Sequence, residues 1–257
     1  MRRRLGITLL FVAVMLAGGA AQAEIFQSGN LRVTLSGGFT PHQLPRDRPI
    51  PVTIRIDGRI GTLDGTRPPS LRNLEIGLNR NGILTTRGLP VCDVSVLQST
   101  STDAAMRLCG PALVGRGSFS ADVDISEEGL PVEGTILAFN SRVGGGPGVA
   151  LHFNGTVPVQ ATLVLPLKVR HQPKGPFGTV LATKVPKLAG GLGSVTHIKL
   201  AIGRTYTYRG QRLGFISASC SAPAGFNTAL FPFARGSFEF VNGRLLDIAL
   251  TRSCRVR

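Results

Sequence analysis

Tryptophan is absent from this 257-residue chain, and tyrosine occurs only as Tyr206 and Tyr208. Sugar-binding clefts and single-strand nucleic-acid grooves depend on aromatic stacking platforms. The composition therefore argues against both, and nucleic acid is not expected as a partner. The thirteen Phe are assigned to the core. Histidine is equally sparse: His42, His152, His171 and His197 stand alone, with no H-E-x-x-H and no pair at i, i+2 or i, i+4. A catalytic zinc site has no local signature here.

The motifs of hydrolytic chemistry are missing too. G-x-S-x-G, which sets a nucleophile on a strained strand-to-helix turn, does not occur. Nor does the G-D-S-G expected of a chymotrypsin-like β-barrel protease. Ser194, in Gly193-Ser194-Val195, reads as a turn residue. The Gly-rich segment Leu188–Ser194 lacks the Gly-Lys-Ser/Thr ending of a phosphate-binding loop. Asp122–Gly129 begins Asp-x-Asp like a calcium loop but has no terminal bidentate Glu, so it reads as a strand running into a turn. Asn154-Gly155-Thr156 fits the glycosylation acceptor pattern, although its Asn-Gly pair is already explained as a turn. No catalytic residue, metal or cofactor is expected.

What is present begins at the N-terminus. Arg2, Arg3 and Arg4 precede an apolar run, Ile7–Gly19, and Ala21-Gln22-Ala23 supplies small residues before a cleavage point between Ala23 and Glu24. This is the layout of a secretory signal peptide, with an apolar run too short to span a bilayer comfortably. Residues 1–23 are expected to be a leader, and the remainder to work outside the cytoplasm, secreted or in the cell envelope. No later segment is apolar enough over about twenty residues to cross a membrane as a helix.

Four cysteines in an exported chain, without a C-x-x-C pair, indicate two disulfides. Of the three possible pairings, Cys92–Cys109 with Cys220–Cys254 is preferred, because each bridge then stays in one half of the chain.

Charge is lopsided. Net charge is +15 overall, and +12 once the three leader arginines are set aside. Residues 24–133 hold 11 bases and 12 acids; residues 134–257 hold 15 bases against Glu239 and Asp247 alone. Clustered charge raises the local potential by several kT, so the second half is expected to meet an anionic polymer or partner protein. Within it, Arg204, Tyr206 and Tyr208 share strand parity and form the candidate binding patch.

Short alternating runs such as Leu31–Leu35 and Val52–Ile56, with 33 Gly and 17 Pro, indicate an all-β chain. Asp57-Gly58, Asn81-Gly82, Asn154-Gly155 and Asn242-Gly243 each suit a tight hairpin turn. Helical periodicity is confined to Thr102–Leu108. An internal repeat relates Asn73–Arg80 to His197–Arg204, and Arg116-Gly117-Ser118-Phe119 to Arg235-Gly236-Ser237-Phe238. Pro51-Val52 with Pro158-Val159, and the approach to Cys92 with that to Cys220, extend it. Two tandem β-sandwich units are expected, 24–140 and a basic 141–257, divided near Ser141–Gly148. The alternative is one large continuous sandwich or barrel in which the glycines form a hairpin loop.

The chain also resembles a set of uncharacterised exported β-rich bacterial proteins from Arg-rich proteomes. The likeness lies in Leu35-Ser36-Gly37-Gly38-Phe39-Thr40-Pro41, Gly88-Leu89-Pro90-Val91-Cys92, Gly155–Ala161 and Leu188–Ser194. It implies export and no particular activity. The expected function is a non-enzymatic exported binding protein. An exported hydrolase with a site assembled from scattered residues, or a structural subunit of a surface assembly, are the alternatives.

Overall fold

The computed structural model describes residues 23–123, 130–158, 160–187 and 193–257. The segment before Ala23 that is expected to be a leader, most of the acidic stretch and most of the Leu188–Ser194 segment lie outside these residues.

Strand follows strand almost throughout. The first half of the chain gives β1 (Glu24–Ser28), β2 (Leu31–Thr40), β3 (Gln43–Leu44), β4 (Ile50–Pro51), β5 (Thr53–Thr62), β6 (Leu71–Asn79), β7 (Gly82–Leu84), β8 (Leu113–Val123) and β9 (Leu130–Val143). The second half gives β10 (Gly146–Val157), β11 (Ala161–His171), β12 (Phe177–Lys184), β13 (Gly193–Ile202), β14 (Thr205–Tyr208), β15 (Gln211–Gly214), β16 (Ile216–Ala218), β17 (Thr228–Phe240) and β18 (Leu245–Val256). One helix, α1 (Thr102–Cys109), falls where the periodicity placed it. Ser101 caps it, its hydroxyl accepting from the Ala104 amide at 3.3 Å, which satisfies one of the orphan donors of the first turn.

Thirteen strands form a single sheet in the order β1-β2-β5-β13-β8-β9-β10-β11-β12-β6-β17-β18-β3. All neighbours are antiparallel except β18 and β3. The period of two explains why the sheet curls around one core. Leu31, Val33 and Leu35 on β2, and Leu246, Ile248 and Leu250 on β18, point inward and are buried, while the residues between them face out. Burying one face of every strand favours a sheet rolled on itself. The roll brings β1 against β18, where side chains replace a backbone ladder. Glu24 accepts from the Thr251 amide at 3.2 Å and from the Arg252 guanidinium at 3.1 Å. Arg244 donates to the Ser28 carbonyl at 3.0 Å.

The all-β class is thus as expected, but two separate sandwiches are not what the strand order describes. Strands of 24–140 and 141–257 alternate in one sheet, with β13 between β5 and β8, and β6 between β12 and β17. Residues of both halves share the main core. Gly144-Gly145 makes the turn of the long β9–β10 hairpin instead of a linker. The physical reason is that β9 and β10 pair along nearly their whole length, so nothing separates the halves there.

Of the four dipeptides read as hairpin turns, Asn242-Gly243 does join two paired strands, β17 and β18, with Gly243 at φ +81°. Asn81-Gly82 turns the chain between β6 and β7, which do not pair. Asp57-Gly58 and Asn154-Gly155 lie inside strands, where tertiary pairing overrides local preference.

The inside is filled. Phe215, Phe240, Ile136 and Leu250 are at most 1% exposed, and the three-stranded sheet β4-β16-β7 covers one end. The cavity behind it, bordered by Phe39, Leu78 and Phe233, measures about 30 Å³, the share of a single water.

A second, smaller core lies on the outer side of the sheet. Leu137, Phe139, Ala150 and Val164 pack there under Leu97, Ala105 and the Cys92–Cys109 bridge. Strand β9 is therefore buried on both faces from Ile136 to Ser141, which explains its unbroken apolar run. Both expected disulfides are formed, with Cα separations of 5.4 Å for Cys92–Cys109 and 5.8 Å for Cys220–Cys254.

Candidate functional site

The anticipated patch lies on the β14–β15 hairpin, a two-stranded ribbon outside the main sheet. Its three residues do different things. Arg204 donates to the carbonyls of Pro111 and Leu113, the latter at 3.0 Å. Tyr206 donates to the Arg87 carbonyl at 2.7 Å. Burial pushes the Tyr206 hydroxyl up, with the nearby Arg204 charge opposing. Both side chains thus fasten the hairpin to the body of the protein.

Tyr208 alone keeps binding character. The Arg87 guanidinium lies 5.7 Å and that of Arg209 5.3 Å from its ring centroid, within cation–π reach. Gly88, at φ +79°, makes this possible. A Cβ there would sit 2.3 Å from the Tyr208 ring. Arg87 escaped the sequence reading because it is more than a hundred residues away, and its proximity depends on the fold.

The larger feature is the outer face of β2-β5-β13-β8. Residues one step out of phase with the core place Arg32 on β2, Arg55 and Arg59 on β5, Lys199 on β13 and Arg116 on β8, all exposed. The register sets Thr34 opposite Arg59, Arg59 opposite His197, and Asp57 opposite Lys199. Asp57 lies between His197 and Lys199, 2.8 Å from His197 Nε2 and 3.8 Å from Lys199 Nζ. Ser120 faces His197 in register, yet no hydrogen bond joins them among the described residues, so the His197–Asp57 pair is not extended to a nucleophile.

The opposite face, β11-β12-β6-β17-β18, is arranged differently. Three of its cations meet acids: Arg170 with Glu75, Arg235 with Asp247 at 2.8 Å, and Arg72 with Glu239 at 3.5 Å. Hydrogen bonding from Ser237, aided by Arg235, holds the Asp247 carboxyl below the usual range. Lys168, Lys184 and Arg255 are exposed on this side as well, so cations outnumber acids on both faces. These charged outward rows are the reverse of the apolar band a membrane barrel presents to lipid. Among the described residues, no helix is long and apolar enough to cross a membrane.

His152 belongs to neither face. It is fully buried on β10 beneath the α1 loop, with Nε2 2.9 Å from the Thr100 carbonyl and 3.0 Å from its hydroxyl. Nδ1 has no partner, so the neutral ring with its proton on Nε2 fits best. Burial lowers its pKa. Ser194 is buried in β13, not in a turn, and donates to the Pro68 carbonyl at 2.8 Å. Asn154 is 3% exposed, which hides it from glycosylation. Among the described residues, no group of three or more His, Cys, Asp or Glu could hold a metal ion.

Compared with known proteins, the chain matches no family model, no curated protein and no solved structure.

Proposed function

We propose that this chain is an exported, non-enzymatic binding protein of the cell envelope or extracellular space that docks on an anionic partner. The carrying observation is the set of cations on the outer face of β2-β5-β13-β8. Arg32, Arg55, Arg59, Lys199 and Arg116 are exposed there, and the Asp57 carboxylate meets only His197 and Lys199 among the described residues. Like charges on neighbouring strands oppose folding, so an unneutralised set is a cost that an external anion offsets. Because the cationic strands come from both sequence halves, the proposed surface is this face, not residues 141–257 as a unit. Leader removal after Ala23, the exported location and the kinship with exported β-rich bacterial proteins belong to the same proposal. Two disulfides support it, since such bonds persist in oxidising compartments.

Chromatography of the chain beginning at Glu24 on an anionic polymer matrix tests it. Retention that falls steeply with NaCl is expected, because screening lengths shrink to about 8 Å at 0.15 M. A subunit role in a surface assembly is the second reading, favoured by the exposed side chains of Leu230 and Phe226 at 75% and 65%. Concentration-dependent mass in light scattering would select it.

We also infer that the fold descends from duplication of one β unit, with one strand exchanged between the copies. Pairing register supports this. Arg235, Ser237 and Phe238 of β17 face Gly77, Glu75 and Leu74 of β6, and Arg116, Ser118 and Phe119 of β8 face Ala201, Lys199 and Ile198 of β13. These are the same positions of the repeated blocks. The two sets run β1-β2-β5-β13-β8-β9 and β10-β11-β12-β6-β17-β18. Arg116 faces Leu137 as Arg235 faces Ala249, and Gly38 faces Arg55 as Arg170 faces Val180. The Asn140–Val149 backbone pair of β9–β10 corresponds to the Arg252–Glu24 ion pair. The Pro51/Pro158 match has no place in this correspondence, which sets β5 against β12.

A further inference from the structure

We infer that the cationic face contains a discrete binding site for a phosphate group of an anionic polymer, set in the concavity between Arg32, Arg59 and Thr196. This deepens the proposed function and rests on it. The concavity measures about 240 Å³, and Arg32, Thr34, Arg59, Gly61 and Thr196 are among the residues that line it.

Its shape follows from two local departures from a regular sheet. Gly61 sits directly opposite Arg32, and a Cβ built there would meet nothing within 4 Å, so the floor is open backbone. On β13 the register shifts between Val195 and His197, leaving Thr196 as the extra residue. A bulge re-aims its side chain, and here Thr196 lines the hollow.

The chemistry is one-sided. The Arg32 and Arg59 guanidiniums have no hydrogen-bond or ion-pair partner among the described residues. They stand in diagonal register, Arg32 facing Gly61 and Arg59 facing Thr34, a placement that brings long side chains within mutual reach. Two planar forks and the Thr34 and Thr196 hydroxyls offer donors from several directions. Asp57 is engaged with His197 and Lys199, and Asp64 with Thr66. A fork paired with hydroxyls matches the several oxygens of a phosphate better than the two of a carboxylate. No aromatic side chain lines the hollow, so it offers no platform for stacking a nucleic-acid base.

The test is titration calorimetry of the chain beginning at Glu24 with long-chain inorganic polyphosphate, and with polyglutamate as the carboxylate arm. Polyphosphate is expected to bind the more tightly. The pair Arg32→Ser with Arg59→Ser should weaken it at least about tenfold, one decade being about 1.4 kcal/mol. Arg170→Ser with Arg235→Ser, removing the same charge from the paired face, should weaken it less than about twofold. Thr196→Val, which keeps shape and charge, should weaken it severalfold, and it carries the test if the arginine pair fails to fold. Equal losses from both arginine pairs, or tighter binding of polyglutamate, overturn the site while leaving a diffuse cationic face intact. Failure of the unaltered chain to bind either polymer overturns the proposed function together with the site.

Discussion

At the scale of single residues, burial and partners decide what the sequence left open. His152 looked like any of four scattered histidines, because nothing in Leu151-His152-Phe153 announces that β10 is covered on its outer side. Thr100 fixes it: the Thr100 carbonyl receives both His152 Nε2 and the Thr162 hydroxyl, each at 2.9 Å. A folded-state pKa below the usual 6.5 means that the unfolded chain takes up a proton before the folded one does. Stability should therefore be fully present above pH 6.5 and fall as pH drops through the interval below it, at up to about 1.4 kcal/mol per pH unit. Urea unfolding at pH 7.5, 6 and 5 checks this, alongside the imidazole resonance of His152, whose midpoint should lie below 6.5. A flat stability profile over that interval would refute it. Arg204 and Tyr206 show the converse: strand parity proposed them as a binding patch, and only the fold shows that they anchor the hairpin.

At the scale of elements, the alternating runs, the helix after Ser101 and both disulfide pairings were legible, since each depends on nearby residues or on loop closure within one half. Strand pairing was not. Gly117 illustrates why. In sequence it is one glycine of the Arg-Gly-Ser-Phe block, yet across the β8–β13 pair a Cβ would lie 2.0 Å from the Lys199 carbonyl oxygen. Gly117→Ala should cost about 1–3 kcal/mol by overpacking, while Gly38→Ala, where the space is open, should be nearly neutral. Thermal or urea melts of the two variants measure the difference. The disulfides act through different elements. Cys92–Cys109 holds the α1 loop over β9–β11. Cys220–Cys254 fastens the 220–226 segment to β18, where Arg46 adds donors to the Ala222, Pro223 and Phe226 carbonyls. For loops of 17 and 34 residues, chain entropy gives roughly 3–4 kcal/mol apiece. Replacing Cys92 and Cys109 by Ala should lower stability by about that amount and let the His152 midpoint rise towards 6.5 as its cover loosens.

At the scale of the whole molecule, the sequence offered the blocks on which the proposed duplication rests but not the strand order, because alternating apolar positions specify which face is buried and not which strand lies alongside. The correspondence of the β9–β10 hairpin with the β1–β18 seam makes a prediction of its own. A circular permutant that joins Arg257 to Glu24 through a short linker and opens at Gly144-Gly145 should fold with a similar melting temperature, since Glu24 and Arg252 already hold those ends together. An insoluble or molten product would argue against the two-fold arrangement. The central proposal, however, is electrostatic: a disulfide-stapled β protein that docks on an anion through the cations on the outer face of β2-β5-β13-β8. Its most direct measurement is the affinity of the chain beginning at Glu24 for polyphosphate as a function of NaCl concentration. Binding is expected to weaken steeply and continuously with salt and to vanish near 1 M; affinity unchanged at 1 M NaCl would show that the contact is not electrostatic.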